Sequence, residues 1–430
     1  MNKKITFKHN DIDYLLYKTK RYKSIIINLM FVRPLKKEDI TYYTLLNRLI
    51  GSTTATYKTK KELSTKMYGL YDASIYLSTN YAYKTAFNSF KFQIINGKLI
   101  DDNSLMEEAI ALLKDIIFNP NIKNNAFLKK DFDEEKRSLT NDIKNIYNNK
   151  RKYAYRRLLE IMAPDDILSA SLLGDLNVLN AITPESLYAF YQTMLKESKV
   201  VVGVIGDISE EEVIKYIGLL PLKTNNDLDF VLSPNVLKSK AKIQEVKETQ
   251  EIMQAKLMMG FVYNVNFDDQ NYVPLLVFNA MFGGMFSSTL FKVIREENSL
   301  AYDISSDVIL NKKMMVVSGG IENSNVNRTC DIVIKELEKY KDGIIDEELL
   351  KIAKDFLIND IKEMEDSPNA LLNYSLEATI SKKQDLDDII KNIQGVTKED
   401  IVKVSNLITL DSIFELLPGD ENEWYWKNWI

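Results

Sequence analysis

The chain has 430 residues, 45% of them hydrophobic and 27% charged, with a formal net charge of −5. This is the balance of an ordinary globular protein long enough for two to four domains and ample core. Acidic and basic residues are interspersed, with no basic block to suggest nucleic acid and no run of about 18 apolar residues to suggest a transmembrane helix.

The basic start, MNKKITFKHN, is not followed by an apolar signal-peptide core, and the single cysteine, Cys330, cannot form an intrachain disulfide. A cytoplasmic location is expected. Cys330 lies in the helical pattern TCDIVIKEL, where a small buried residue is the ordinary reading. Histidine is the most decisive count, because His9 is the only one. A catalytic zinc site takes three protein ligands, usually including two or more His, and one His with one distant Cys cannot supply them.

In chain order, Ile12–Tyr17 and Ile25–Val32 read as strands separated by the basic turn Lys18–Lys23. Thr41–Ile50 reads as a helix with Leu45, Leu46, Leu49 and Ile50 on one side, and Lys60–Tyr68 as another, stopped by Gly69. Strands follow near Ala73–Asn80 and Thr85–Ile95, then a helix at Ser104–Phe118 stopped by Asn119 and Pro120. Asn125–Tyr147 and Lys150–Met162 are expected as long helices, their charges forming a solvated face. Thr183 and Pro184 give the cap and first position of a further helix. Val200–Ile205 is an apolar strand ending at Gly206 and Asp207.

The pattern then begins again. Gln254–Tyr263 is a strand like Ile25–Val32, and Tyr272–Phe282 a helix like Thr41–Ile50. Leu290–Glu297 followed by Ala301–Ile309 repeats the helix at Lys60–Tyr68 with its strand. Lys313–Ile321 is the next strand, and Val326–Tyr340 and Asp346–Glu365 are helices. Val396 to Glu399 restarts a helix as Ile182 to Glu185 does, and Ser412–Leu417 closes the half as Val200–Ile205 did. The chain thus reads as an internal duplication of about 200 residues per half, too long a period for a solenoid. The halves are 1–220 and 243–430, joined by an irregular linker at 221–242. Each is expected to be α+β, with a mostly antiparallel sheet and helices segregated to one face. Two such halves can enclose a ligand cavity.

Within the second half, Gly283 to Asp307 reads GGMFSSTLFKVIREENSLAYDISSD. An amphipathic helix ends at Arg295, Asn298 and Ser299 make a turn, and Tyr302 lies near the start of a strand. A guanidinium and a phenol aimed at one point suit a peptide carbonyl or a carboxylate. Spacing alone leaves blander readings open. The macrodipole favours an Arg near a helix C-terminus, and β-propensity favours a Tyr in a strand. Gly283 and Gly284 are expected to permit close backbone approach.

The duplicated halves, the segment FNAMFGGMFSSTLFKVIREENSLAY and the strand VVVGVIGDIS resemble the pitrilysin/insulinase family of zinc metallopeptidases over nearly the whole chain. LSTKMYGLYDASI and FDEEKRSLTNDIKNIYNNKRKYAYRRLLEIM look most like its bacterial YmfF-type branch. The resemblance implies two tandem α/β-sandwich halves, metallopeptidase-like in the LuxS/MPP manner, enclosing a central cavity. Active members carry H-x-x-E-H on a helix of the first half, with a downstream carboxylate as third ligand. Aligned here, the motif falls on Thr44, Asn47 and Arg48, reading T-L-L-N-R, and the distal carboxylate on Asp142. Both His and the general base are absent, and Arg48 brings a positive charge to the position of the metal's. In smaller family members an Arg–Tyr pair in the second half holds substrate groups, and Arg295 and Tyr302 match it in type and separation.

By this resemblance the chain is a catalytically silent, substrate-binding subunit of a heterodimeric peptidase. Zinc is expected only in an H-x-x-E-H partner, and a peptide substrate adds as a strand to a sheet edge. The alternatives are a non-enzymatic homodimeric scaffold or peptide-binding protein of the same fold, and an unrelated enzyme using Asp142, Glu134 and Glu135 as acid and base. The last residues, ENEWYWKNWI, hold Trp424, Trp426 and Trp429. Packing back on the second half, docking a partner and, more weakly, anchoring at a membrane surface are all open for them.

Overall fold

The computed structural model describes residues 3–232, 242–381 and 383–419. Apolar, β-branched runs in the first half form β1 (Lys3–His9), β2 (Ile12–Lys18), β3 (Ser24–Pro34), β4 (Ser74–Ala82) and β5 (Thr85–Ile95). The two-residue strands β6 (Ile122–Lys123) and β7 (Ala126–Phe127) pair only with each other, and β8 (Lys199–Gly206) completes the main sheet. That sheet runs β1-β2-β8-β3-β5-β4, antiparallel except for β2 beside β8. The second half supplies β9 (Gln244–Gln250), β10 (Ala255–Val262), β11 (Ala301–Ile309), β12 (Met314–Ile321) and β13 (Thr409–Pro418). Read from β9, this sheet runs β9-β13-β10-β12-β11, again with one parallel pair, β9 beside β13. Apart from β1 the two orders are one topology, so the duplication read in the sequence is present in the strand pairing.

Helix starts repeat as well. Thr183 accepts from the Ser186 amide ahead of Pro184–Glu197, and Thr397 accepts from the Asp400 amide ahead of Lys398–Ser405. Thr59 and Glu62 form the same reciprocal box ahead of Lys60–Gly69. Each satisfies amides that the helix itself leaves without partners.

Several expectations need correction. The helix expected from Asn125 begins at Lys129, because Asn124 and Asn125 sit in the left-handed region and turn the short β6–β7 ribbon. Leu176–Ala181, Glu210–Ile217, Pro368–Ser381 and Leu386–Gly395 are helices that the periodicity did not single out. β9 was not expected either. Its sequence QEVKETQ is polar, yet Glu248 and Gln250 point into the fold. The linker is described as far as 232, where the Val231 carbonyl accepts from the Lys84 amide and the Thr85 hydroxyl. Residues 233–241 and the tryptophan-bearing end fall outside the described residues.

The helices are not segregated to one face. Asn47, on the helix Asp39–Ile50, bonds Thr79 on β4, and the register carries that face through Asn88 and Phe31 to Val200. Gly203, three residues further along β8, faces the other way. A Cβ there would sit 2.6 Å from Leu376 and 2.9 Å from Leu372, both on Pro368–Ser381. In the second sheet, Ser306 bonds Asn279 on one face, while Gly260 on β10 faces Leu158 and Met162 of the helix Lys150–Met162 on the other. Each sheet is therefore covered on one side by a helix from the opposite repeat. The compact units reflect this. One comprises 1–143, 171–232 and 365–380, and the other the described parts of 144–170, 233–364 and 381–430.

Polar anchors fix these helices. In the first unit the Tyr17 hydroxyl pairs with the Ser375 hydroxyl at 2.8 Å. In the second, Tyr153 donates to Glu248 at 2.6 Å and Arg157 donates to its other oxygen at 2.8 Å. Glu248 is 1% exposed. Burial and the neighbouring Glu248 carboxylate push the Tyr153 phenol well above its usual range. Cys330 is free and buried, as expected, and burial pushes its thiol up to about 12. No helix among the described residues is long and apolar enough to cross a membrane.

Removing one partner of a buried ion pair strands the other. Glu248→Ala is expected to lower unfolding stability by about 3 kcal/mol or more, measured by urea denaturation. Glu248→Gln, which keeps an acceptor for Tyr153, is expected to cost less.

Candidate functional site

Thr44, Asn47 and Arg48 lie on the helix Asp39–Ile50, where a spacing of three and four residues puts them on one face. Asp142 lies on Lys129–Asn145. The first unit brings Arg48 and Asp142 into contact, with Nη2 of Arg48 2.8 Å from Oδ2 of Asp142 and Nη1 3.2 Å from the Ser138 hydroxyl. The Thr44 hydroxyl is spent on the Ile40 carbonyl of its own helix, at 2.8 Å. Asn47 donates to the Thr79 hydroxyl at 2.9 Å, and Thr79 donates to Asn88 at 2.6 Å. Oδ1 of Asn47 is buried without a partner among the described residues.

These positions do not fit a zinc ion. Zinc takes thiolate, imidazole and carboxylate donors. A hydroxyl, a carboxamide, a guanidinium and one carboxylate stand here, and the carboxylate already carries a permanent cation. Among the described residues, no three of His, Cys, Asp and Glu gather as metal donors. Glu134 and Glu135 bind Lys60, at 2.8 and 2.7 Å. The Lys60 hydrogen bond holds the Glu134 carboxyl below its usual range, the opposite of what a general acid requires.

In the second unit the stretch from Gly283 is built differently from the α-helix expected. Ala280–Gly284 and Phe291–Glu297 are π-helical turns, a form frequent at functional sites. Gly283 packs on β11, where a Cβ would lie 2.7 Å from the Ser306 amide nitrogen. Ser299 adopts a left-handed conformation, φ 52°, and the Leu300 amide bonds back to the Ile294 carbonyl at 2.9 Å. Asn298 holds the Val293 carbonyl and accepts from Arg328, both at 2.8 Å. This turn returns the chain so that Arg295 and Tyr302 meet.

The Arg295 guanidinium carbon lies 5.2 Å from the Tyr302 ring centroid and 4.7 Å from that of Phe291. Tyr302 is 76% exposed. Among the described residues Arg295 has no carboxylate or hydrogen-bond partner. Two aromatic faces attract the cation while leaving its in-plane N–H groups available for a carbonyl or carboxylate. The sequence places Phe291 on the apolar stripe of this segment with Leu290, Val293 and Ile294, and gives it no part in the site. Its signal was its position four residues before Arg295 on a helical segment.

Two substitutions separate these sites. Gly283→Ala must displace β11 backbone and is expected to cost about 1–3 kcal/mol in thermal unfolding. Arg48→Ala, which removes a half-exposed pair, is expected to cost about 1 kcal/mol or less.

Comparison with known proteins agrees with this fold. Residues 181–357 match the family described as the Peptidase M16 inactive domain. The chain is 28% identical over 416 residues to the "Probable inactive metalloprotease YmfF" of Bacillus subtilis (strain 168), covering 96% of this chain and 97% of the relative. Among solved structures it is similar to a conserved protein from Enterococcus faecalis V583. That match has a TM-score of 0.90 at 28% identity and covers 97% of this chain and 99% of the other. A peptidase M16 inactive domain from Pseudomonas fluorescens shares the fold, with a TM-score of 0.79 at 16% identity, covering 97% and 99%. Motif, topology and relatives agree, and the chain is a homologue of the pitrilysin/insulinase-type (M16) metallopeptidases, of the inactive, YmfF-like kind.

Proposed function

We propose that the chain is the catalytically silent, substrate-binding member of a heterodimeric zinc peptidase or peptide-processing complex. The observation that carries this reading is Arg295, an aromatic-bracketed guanidinium with no partner among the described residues. A charge kept free in this way is suited to a substrate carbonyl or C-terminal carboxylate. Tyr302 adds a hydroxyl at the same exposed position.

In this reading an H-x-x-E-H subunit of the same family supplies the zinc and the general base, and this chain supplies no metal ligand. Its own contribution is to bind and orient the peptide. The strands β4 and β11 each end a sheet, so each presents a row of backbone groups to which an extended peptide can add. The cytoplasmic setting belongs to the same proposal.

The test is reconstitution. The isolated chain is expected to take up no stoichiometric zinc on metal analysis and to cleave no peptide, and to gain activity with an H-x-x-E-H partner from the same cell. One tightly bound zinc per chain would overturn the reading. Within the reconstituted complex, Arg295→Ala removes one charge-assisted hydrogen bond. It is expected to lower kcat/KM about tenfold or more without changing thermal stability. Unchanged kinetics would take the pair out of the mechanism. Co-purification of a homodimer with no peptidase would instead favour a scaffold of the same fold.

A further inference from the structure

The second unit carries a groove of about 750 Å³ that the Arg295–Tyr302 pair does not line. Its walls are the π-helical turn Phe291–Glu297, the end of the helix Val326–Lys341 and the start of the helix Glu347–Asp366. Three large apolar side chains open onto solvent there: Phe286 at 85% exposure, Ile344 at 65% and Ile352 at 42%. Phe286 is propped edge-on against Phe291, with ring centroids 5.8 Å apart. An apolar surface held outward in this way marks an interaction site more often than a packing defect.

The rim has a sign. Glu296, Glu297 and Glu348 line the groove, and their carboxylates have no ion-pair partner among the described residues. Lys339 also lines it but is engaged by Glu336 at 2.8 Å. Lys292 is the remaining cation. Asp346 is occupied in capping the amides of Glu348 and Leu349.

We propose that this groove docks a basic amphipathic helix of a partner polypeptide. Its apolar face would meet Phe286, Ile344 and Ile352, and its Lys or Arg residues would meet the three free carboxylates. An apolar floor between helices, flanked by unpaired charge that is three acidic groups to one basic, is how helix-binding grooves select their ligands. Charge decides against the two other occupants. A second copy meeting this face about a two-fold axis would set acidic rim against acidic rim. The chain's own terminal segment brings Asp420, Glu421 and Glu423 against a single Lys427. The proposal stands apart from the role given to Arg295.

Calorimetric titration tests it, using the full chain and two synthetic helical peptides of equal length, one of Leu and Lys and one of Leu and Glu. The Leu/Lys peptide is expected to bind, and the Leu/Glu peptide to bind at least tenfold more weakly. Phe286→Ser with Ile344→Ser is expected to weaken the Leu/Lys peptide at least tenfold. Glu296→Lys, Glu297→Lys and Glu348→Lys together are expected to reverse the preference. All five residues are exposed or half-exposed, and an unchanged thermal melt verifies the fold. Equal binding of the Leu/Lys peptide to the wild type and the Phe286→Ser, Ile344→Ser variant overturns the proposal. So does a concentration-dependent dimer that this variant abolishes, which would assign the groove to a second copy. All three tryptophans lie at 424, 426 and 429, so tryptophan emission reports the terminal segment alone. A red shift of that emission in the variant without peptide would assign the groove to the segment and overturn the proposal.

Discussion

The fold depends on two close approaches of helix to sheet. Gly203 lets Leu372 and Leu376 onto the centre of one sheet, and Gly260 lets Leu158 and Met162 onto the centre of the other. A Cβ at either glycine would press on the ends of these Leu and Met side chains, which would have to shift to keep the helix seated. These helices cover an apolar sheet face that the sheet's own repeat does not bury alone. The requirement is steric, and it falls in corresponding layers of the two sheets because the repeats share one strand order. Hydrogen bonding then selects position within the steric fit. Glu248 reaches Tyr153 and Arg157 together only when Lys150–Met162 lies in one register along β9. A buried carboxylate is costly when misplaced, so the pair disfavours slippage more than it adds to net stability.

This arrangement explains which parts of the fold were legible in the sequence. Strands that are near-continuous apolar runs, such as β3 and β10, and helices with a Thr cap, such as Pro184–Glu197 and Lys398–Ser405, announce themselves locally. β9 does not, because its inward residues are Glu248 and Gln250, polar groups that are acceptable only beside partners from a distant helix. Lys150–Met162 was read with a solvated charged face. In the fold Tyr153, Leu158 and Met162 are buried, and Arg157 is turned inward by Glu248. Helices on both faces were unreadable for the same reason. Nothing local marks an amphipathic segment as belonging to the sheet of the other repeat.

At the candidate site the sequence carried chemistry better than geometry. A histidine count is a complete argument against the inherited zinc ligands, and no arrangement of the chain alters it. Its structural counterpart, a guanidinium on Asp142, follows from charge: a lone carboxylate beside a cation relaxes into an ion pair. The π-helical turns were not readable. One ends at Gly284, beside the Gly283 that seats against Ser306, and the other ends at Glu297, just before the chain returns at Leu300.

The described arginines differ in how their charge is held at the two sites. Arg48 is satisfied by Asp142, Arg151 by Asp303 and Arg157 by Glu248. A guanidinium so paired has its charge neutralised, and a substrate carboxylate would have to displace a covalently tethered competitor. Arg295 is held by rings instead. Aromatic faces fix the plane of the cation without neutralising it or occupying its donors, so orientation is established before a ligand arrives. A cation that is oriented but unpaired is rare in a folded protein, because the chain gains little from it in isolation. Here its support is elaborate: a left-handed Ser299, a capped turn at Asn298 and two aromatic residues on separate elements. Each of these supports acts on the position of the guanidinium and none of them neutralises its charge.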